Sequence, residues 1–563
     1  MNRTIWCTFV LLISWTERLI ANSRRTPVVY TNSGPVRGLT SHTVWNSIEY
    51  SSFKGIPYAE PPTGSLRFQP PVPVKAWNET LNAFQEGNVC PQLGLESGVF
   101  MGNEDCLFLN VITPETQFED KMNLKPVMVW IHGGGFLGGS SNLALYGPDF
   151  FIEENIVIVS FNYRIGALGF LALNHPRATG NAGLKDQNLV LRWVQKNIAA
   201  FGGDPKQVTI FGQSAGAVSV GYHTLSKKSK GLFIRSISMS GTPLCVWAYQ
   251  TPQEATANAH KLLRILGHLP KNKNDILNFF LHTPASDIVI GATKVSLNFL
   301  PFRPTIENPT IAPRNSAFLT ECPITKYHSG KFYQHSMIMG YTRDEILLFM
   351  GFKFSQVNTT KQVIKLLQDR AKYEESNSVK TRNQIANRLR NNSKTTINKI
   401  VKIGTDFFFR IPIDLTQRML AKRNENHSIY YYRLSYQSEY SMHGLYDNPL
   451  KGTAHLDDVG YIFNVKQLQA PTNPANSFNQ FRKKMVTLWA NFAKYGNPTP
   501  NNTSDLVWTD SRTSRSQLDI NETFTMHDRL IDGRGENYEK GLYTALALVS
   551  ACRHKPVDYK SIF

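Results

Sequence analysis

Val208-Thr-Ile-Phe-Gly-Gln-Ser-Ala-Gly-Ala217 runs β-favouring residues into a Gly-Gln-Ser-Ala-Gly turn, and a helix-like segment follows. G-x-S-x-G between a strand and a helix is the pattern of a nucleophile elbow. The sharp turn lifts the serine Oγ to the edge of a sheet, and glycines two positions either side let strand and helix approach where a Cβ would clash. The five-residue pattern alone is weak, since average composition gives roughly 0.2 chance matches in a chain of this length. Its weight comes from the buried-strand pattern before it and from the partners found elsewhere.

The chain has 563 residues, 41% of them apolar and 18% charged, which describes a globular protein with ample core. Sixty-one Lys and Arg against 42 Asp and Glu leave a formal charge of +19. No nucleic-acid-binding motif is interleaved with the basic residues, so this charge reads as a basic solvated surface. Residues 1–21 resemble a secretory signal: Arg3 precedes the apolar run from Ile5 to Trp15, and the small Ala21 closes the segment. Seven N-x-[ST] sequons follow, at Asn78, Asn358, Asn391, Asn426, Asn501, Asn502 and Asn521. No later apolar run reaches 18 residues, and no hydrophobic anchor tail closes the chain. The expectation is a secreted glycoprotein without an integral membrane segment. Beyond the signal stand Cys90, Cys106, Cys245, Cys322 and Cys552, an odd number, so at least one stays free or pairs between chains. Cys90 with Cys106 closes the shortest loop, worth roughly 3 kcal/mol in the chain-entropy model. The cysteine spacings do not match a zinc site, and no metal or cofactor is expected.

Along the chain, residues 24–40 read as a hairpin. Residues 104–111, 126–131 and 156–163 read as strands, the last being a near-continuous apolar run suited to a parallel strand buried on both faces. Residues 184–201 have helical apolar spacing and end at Phe201-Gly-Gly-Asp-Pro205. Further strands are expected at 234–239, 337–339 and 429–434. Alternation of strands and helices predicts an α/β fold, with a large, mostly parallel central sheet flanked by helices. Residues 353–402 form a basic helical excursion on the surface.

A serine nucleophile needs a base, an orienting acid and an oxyanion hole. His132-Gly-Gly-Gly-Phe136, after the strand 127–131, is the loop type that offers backbone N–H groups to an oxyanion. The N–H of Ala215, next to Ser214, adds a donor. With the chain order Ser, acid, His, the acid falls on Asp344 or Glu345, after the strand near 337–339. His427, His443, His455, His527 and His554 then compete for the base, and local chemistry does not choose among them.

Several stretches together resemble the type-B carboxylesterases, a family of α/β-hydrolase fold that includes insect esterases, juvenile hormone esterases and cholinesterases. They are Glu104-Asp-Cys-Leu-Phe-Leu-Asn110, His132-Gly-Gly-Gly-Phe136, Asn162-Tyr-Arg-Ile-Gly-Ala-Leu-Gly-Phe170, Asn181-Ala-Gly-Leu-Lys-Asp-Gln187 and Phe201-Gly-Gly-Asp-Pro205, with the elbow itself. The resemblance covers nearly all of the mature chain and implies a single large domain over residues 24–555. It implies Ser214 as nucleophile, Glu345 as acid and His455 as base, the last within Gly452-Thr-Ala-His-Leu-Asp-Asp458. It also implies Gly134, Gly135 and Ala215 as the oxyanion hole and Cys90–Cys106 as a disulfide. Two departures stand out. Ile346 follows Glu345 where the family usually has Gly, which keeps Asp344 as an alternative acid. The Cys90–Cys106 loop holds no Trp, which argues against a choline ester substrate.

The expected activity is hydrolysis of small carboxylic esters through an acyl-enzyme on Ser214. Gln213, Arg67-Phe68, Asp186-Gln187 and the Gly452-x-x-His455-x-x-Asp458 spacing are similar to juvenile hormone esterases, a narrower alternative; Arg67 and Asp186 also read as structural ion-pair or capping residues. A non-catalytic, neuroligin-like adhesion protein is the alternative from another class.

Overall fold

The long apolar runs become the centre of a 13-stranded sheet. The computed structural model describes residues 24–94, 97–119, 123–296, 300–350, 395–446, 448, 450–500 and 506–529. The signal-like segment, residues 353–394 of the basic excursion, Asn358, Asn391, Asn501, Asn502, Cys552 and His554 lie outside the described residues, as does the end of the expected domain.

In chain order the strands are β1 (Arg25–Tyr30), β2 (Pro35–His42), β3 (Glu49–Pro57), β4 (Leu81–Asn82), β5 (Gln92–Leu93), β6 (Phe100–Met101), β7 (Phe108–Thr113), β8 (Lys125–Ile131), β9 (Val157–Phe161), β10 (Gly203–Gln213), β11 (Arg235–Met239), β12 (Ser336–Thr342), β13 (Ile429–Leu434), β14 (Ser516–Ile520) and β15 (Phe524–Asp528). The sheet runs β1-β2-β3-β7-β9-β8-β10-β11-β12-β13-β14-β15, with β4 on β2. Its middle, from β9 through β8 and β10 to β14, is parallel. Antiparallel strands flank it on both sides. The expected strand at residues 104–111 starts only at Phe108, because Cys106 N–H turns back to Glu104 C=O at the disulfide corner. β13 has the expected bounds.

Alternation along the central strands separates two cores. Val127, Val129 and Ile131 of β8 pack with Val190, Leu191 and Val194 of the helix Ala182–Asn197. Met128 and Trp130 face the other way, toward Met485, Val486 and Trp489 of the helix Ser477–Tyr495. A strand covered by helices on both faces can be apolar at nearly every position, which is why 156–161 reads as a near-continuous apolar run broken only by Ser160. Each such aliphatic side chain contributes about 1.5–3 kcal/mol when fully buried. The parallel arrangement also places the C-terminal ends of β8, β10, β12 and β13 together, and the loops leaving that edge carry the site.

Candidate active site

β10 ends at Gln213, and the helix Ala215–Leu225 begins immediately beyond Ser214. Ser214 joins them with φ 58° and ψ −124°, a sparsely populated backbone region for a residue with a Cβ. It is held there from both sides: its N–H donates to Met239 C=O, and its C=O accepts from Val218 N–H, both at 2.9 Å. A Cβ on Gly212 would lie 2.6 Å from the Gly216 carbonyl carbon and 2.7 Å from Ile131 O, and one on Gly216 would overlap Ile131 O. The two glycines are the condition for the crossing of strand and helix.

The candidate acid and the candidate base come from two loops that run side by side. Asp344 N–H donates to Thr453 C=O at 2.9 Å, and His455 N–H donates to Glu345 C=O at 3.2 Å. Glu345 is fully buried, and its Oε1 accepts the N–H of Thr342 at 2.8 Å. Its Oε2 lies 2.5 Å from Nδ1 of His455. A proton on Nδ1 then leaves Nε2 as the basic nitrogen. The other candidate acid faces elsewhere: Asp344 accepts from Arg343 Nε at 2.9 Å and from Thr453 N–H at 3.0 Å. Gln213, next to Ser214, lays its carboxamide nitrogen 3.3 Å from His455 Nε2, so the imidazole sits against the elbow.

The competing histidines are placed otherwise. His443 forms its own buried pair, with Nδ1 2.8 Å from Asp457 Oδ2, but its Nε2 is taken by Leu450 C=O at 3.1 Å. Burial lowers its pKa, but the hydrogen bond and charge of Asp457 and the Leu450 carbonyl outweigh burial and leave it raised. His427 is half-buried in a turn, and His527 is exposed on the edge strand β15.

The glycine loop after β8 has Gly134 at φ 108° and Gly135 at φ 63°. Gly134 C=O accepts the N–H groups of Leu137 and Gly138 at 3.0 and 3.1 Å, closing a turn. Among the described residues no acceptor is recorded for the N–H of Gly134, Gly135 or Ala215, and the last heads a helix whose first N–H groups have no intrahelical partner. His132 stacks on Tyr163 with ring centroids 4.3 Å apart, and burial brings its pKa down to about 4, so it is neutral. Asn110 and Asn162, from two of the quoted motifs, fasten the segment beyond this loop: Asn162 Oδ1 accepts Ser141 N–H at 2.8 Å, and Asn110 Nδ2 reaches Ser141 C=O at 3.3 Å.

Sequence reading missed the apolar walls. Phe409 and Phe349 stand 4.7 and 5.5 Å from the His455 ring, centroid to centroid, and Leu300 approaches Gly135. These residues lie far apart in the chain and carry no pattern of their own. Arg67 and Asp186 take structural roles. Arg67 pairs with Glu104 and caps a helix end at Phe280 and Thr283 C=O, at 2.8 and 2.7 Å, while buried Asp186 pairs with Arg164. Cys90 and Cys106 are bridged, Cys322 is disulfide-bonded, and Cys245 is free and buried. No metal-binding group of three or more His, Cys, Asp or Glu occurs among the described residues.

The fold and the elbow define an α/β-hydrolase, and comparison with known proteins gives the family. The chain belongs to the carboxylesterase family, whose model matches residues 25–535. It is 33% identical over 510 residues to a juvenile hormone esterase of Tribolium castaneum, covering 86% of this chain and 85% of that protein. It is 34% identical over 489 residues to esterase B1 of Culex pipiens, covering 84% and 88%. The crystal structure of juvenile hormone esterase from Manduca sexta, with OTFP covalently attached, superposes with a TM-score of 0.81 at 26% identity. That match covers 93% of this chain and 99% of the other. The protein is a carboxylic ester hydrolase.

Proposed function

We propose that the protein hydrolyses small carboxylic esters through an acyl-enzyme on Ser214, with His455 as general base and Glu345 as the acid that orients it. The observation that carries this reading is the 2.5 Å contact between Glu345 and His455 Nδ1, beside the elbow serine. His455 Nε2 takes the Ser214 proton as Oγ attacks the ester carbonyl, and the N–H groups of Gly134, Gly135 and Ala215 receive the oxyanion. One such donor supplies about 3 kcal/mol of transition-state stabilisation. Collapse breaks the ester C–O bond, and the imidazolium returns its proton to the leaving alcohol. Water, deprotonated by His455, then attacks the acyl carbonyl and frees the carboxylic acid and Ser214. Phe349, Phe409 and Leu300 suit an apolar group on the ester.

A narrower reading is hydrolysis of juvenile hormone, supported by the Tribolium relative and the Manduca structural match. Esterase B1, at 34% identity, supports the broader activity equally. Secretion is supported by the signal-like residues 1–21 and by exposed sequons at Asn78 and Asn426. No described helix is long and apolar enough to cross a membrane.

A fluorophosphonate probe followed by peptide mapping tests the chemistry: the adduct is expected on Ser214 and absent from Ser214→Ala. Labelling that survives this substitution overturns the assignment. Turnover of short-chain aryl esters set beside turnover of juvenile hormone separates the two substrate readings.

A further inference from the structure

The disulfide loop touches the glycine loop through one side chain. Gln92, two residues beyond Cys90, is 7% exposed. Its Oε1 accepts the N–H of Gly139 at 2.8 Å, and its Nε2 donates to Gly139 C=O at 3.0 Å. The same Nε2 donates to Cys90 C=O at 3.0 Å. The carboxamide thus pairs with both backbone groups of one residue, as a neighbouring strand would. Gly139 is the rear of the turn that begins at His132. Its φ is +104°, and a Cβ there would meet His132 Nδ1 at 2.5 Å and Gly133 O at 2.6 Å. Within that turn Gly134 C=O is already held by Leu137 and Gly138. Gly139 follows Gly138 directly, and the Gly138 N–H holds Gly134 C=O, so the clamp on Gly139 is passed through one peptide bond and one hydrogen bond to the peptide that carries the Gly135 N–H.

We propose that Gln92 is a positioning residue for ester hydrolysis: by clamping Gly139 it fixes the direction of the Gly134 and Gly135 N–H groups and couples the oxyanion hole to the Cys90–Cys106 loop. This rests on the reading of Gly134 and Gly135 as oxyanion donors. The site requires a side chain that donates and accepts at once. A glutamate would set a carboxylate against the carbonyls of Gly139 and Cys90, and an aliphatic residue would take the partner from three backbone groups, the N–H and C=O of Gly139 and the C=O of Cys90.

The test is steady-state hydrolysis of p-nitrophenyl acetate by the wild type, Gln92→Ala, Gln92→Glu, a Cys90→Ala/Cys106→Ala double variant and its combination with Gln92→Ala. Inhibition by a trifluoromethyl ketone, whose adduct on Ser214 carries an oxyanion, is measured beside it. The expected result is a fall in kcat of about tenfold or more in Gln92→Ala with KM within about twofold. Ketone affinity should fall by the same factor as kcat/KM, a correlation that mere loosening of the fold would not produce. Gln92→Glu, of the same size, should fall as well, and serves alone if the alanine variant does not fold. Gln92→Ala should add little once the bridge is gone. A kcat within about twofold of wild type, a kcat loss with unchanged ketone affinity, or full multiplication of the two losses overturns the proposal. A wild type that turns over no ester, or an active Ser214→Ala, would instead mark failure of the serine esterase reading.

Discussion

Glu345 holds Nδ1 of His455 at 2.5 Å, while the neighbouring carboxylate of Asp344 turns away to receive the N–H of Thr453 at 3.0 Å. One carboxylate meets the imidazole and the other straps down the loop that carries it. The two substitutions should therefore separate. Glu345→Gln keeps the shape but stabilises the wrong tautomer, and kcat on an aryl acetate should fall about 10³–10⁴-fold. Asp344→Asn should keep kcat within about threefold and lower the melting temperature slightly. The reverse ranking in a kinetic comparison would remove Glu345 from its role.

Gly216 is pressed against the Ile131 carbonyl where the elbow helix crosses β8. Gly216→Ala forces backbone apart in a packed sheet, where overpacking costs about 1–3 kcal/mol or more. The expected outcome is a lower urea midpoint and reduced soluble yield. A midpoint equal to wild type would mean that the crossing is looser than this contact requires.

What the sequence disclosed depended on whether a residue's role was local. The two-sided burial of β9 appears as a near-continuous apolar run, and the elbow is a contiguous turn whose glycines can be read directly. The choice between Asp344 and Glu345 is different in kind. Both stand in one loop, and only the ladder from residues 344–345 to 453–455 sets which one faces His455. His443 and Asp457 form a second buried histidine–acid pair a few residues from His455, so chemistry alone had no basis for preferring one. Gln92 and Phe409 were invisible for the same reason: their partners are distant in the chain.

Three buried histidines make stability sensitive to acid. Burial lowers the pKa of His132 to about 4, and of His223 and His335 to about 3 each. Both ring nitrogens of His223 are engaged, with Ser229 Oγ at 2.7 Å and Gln187 Oε1 at 3.0 Å. The unfolded chain protonates these groups near pH 6.5 and the folded chain does not, so unfolding takes up protons below that pH. Their contribution is fully present above about pH 6.5 and is lost as pH falls toward 4 and 3. The limiting slope is about 1.4 kcal/mol per pH unit for each histidine. Urea unfolding at pH 7.5, 6 and 5 should show this fall, and His223→Gln should flatten it by about one proton. An unchanged slope would count against a neutral His223.

Asp458 should behave in the opposite sense. It is fully buried, and neither carboxylate oxygen has a hydrogen-bond partner of good geometry among the described residues. Burial first, then the charges of Glu345 and Asp457, raise its pKa well above the usual 3.8, against a weaker pull from nearby backbone N–H groups. A carboxyl whose pKa is raised on folding favours the folded state most below the unfolded value of 3.8. That advantage is lost as pH rises from there through the folded value. Asp458→Asn keeps the shape, carries no charge and has no such dependence. Its stability relative to wild type should therefore be greatest at pH 8 and should shrink as pH falls toward 4. Paired urea titrations at pH 8, 6 and 4 measure this directly. A variant less stable than wild type at pH 8, by an amount that does not change with pH, would mean that Asp458 is ionised and held by partners that the buried cluster would then have to supply.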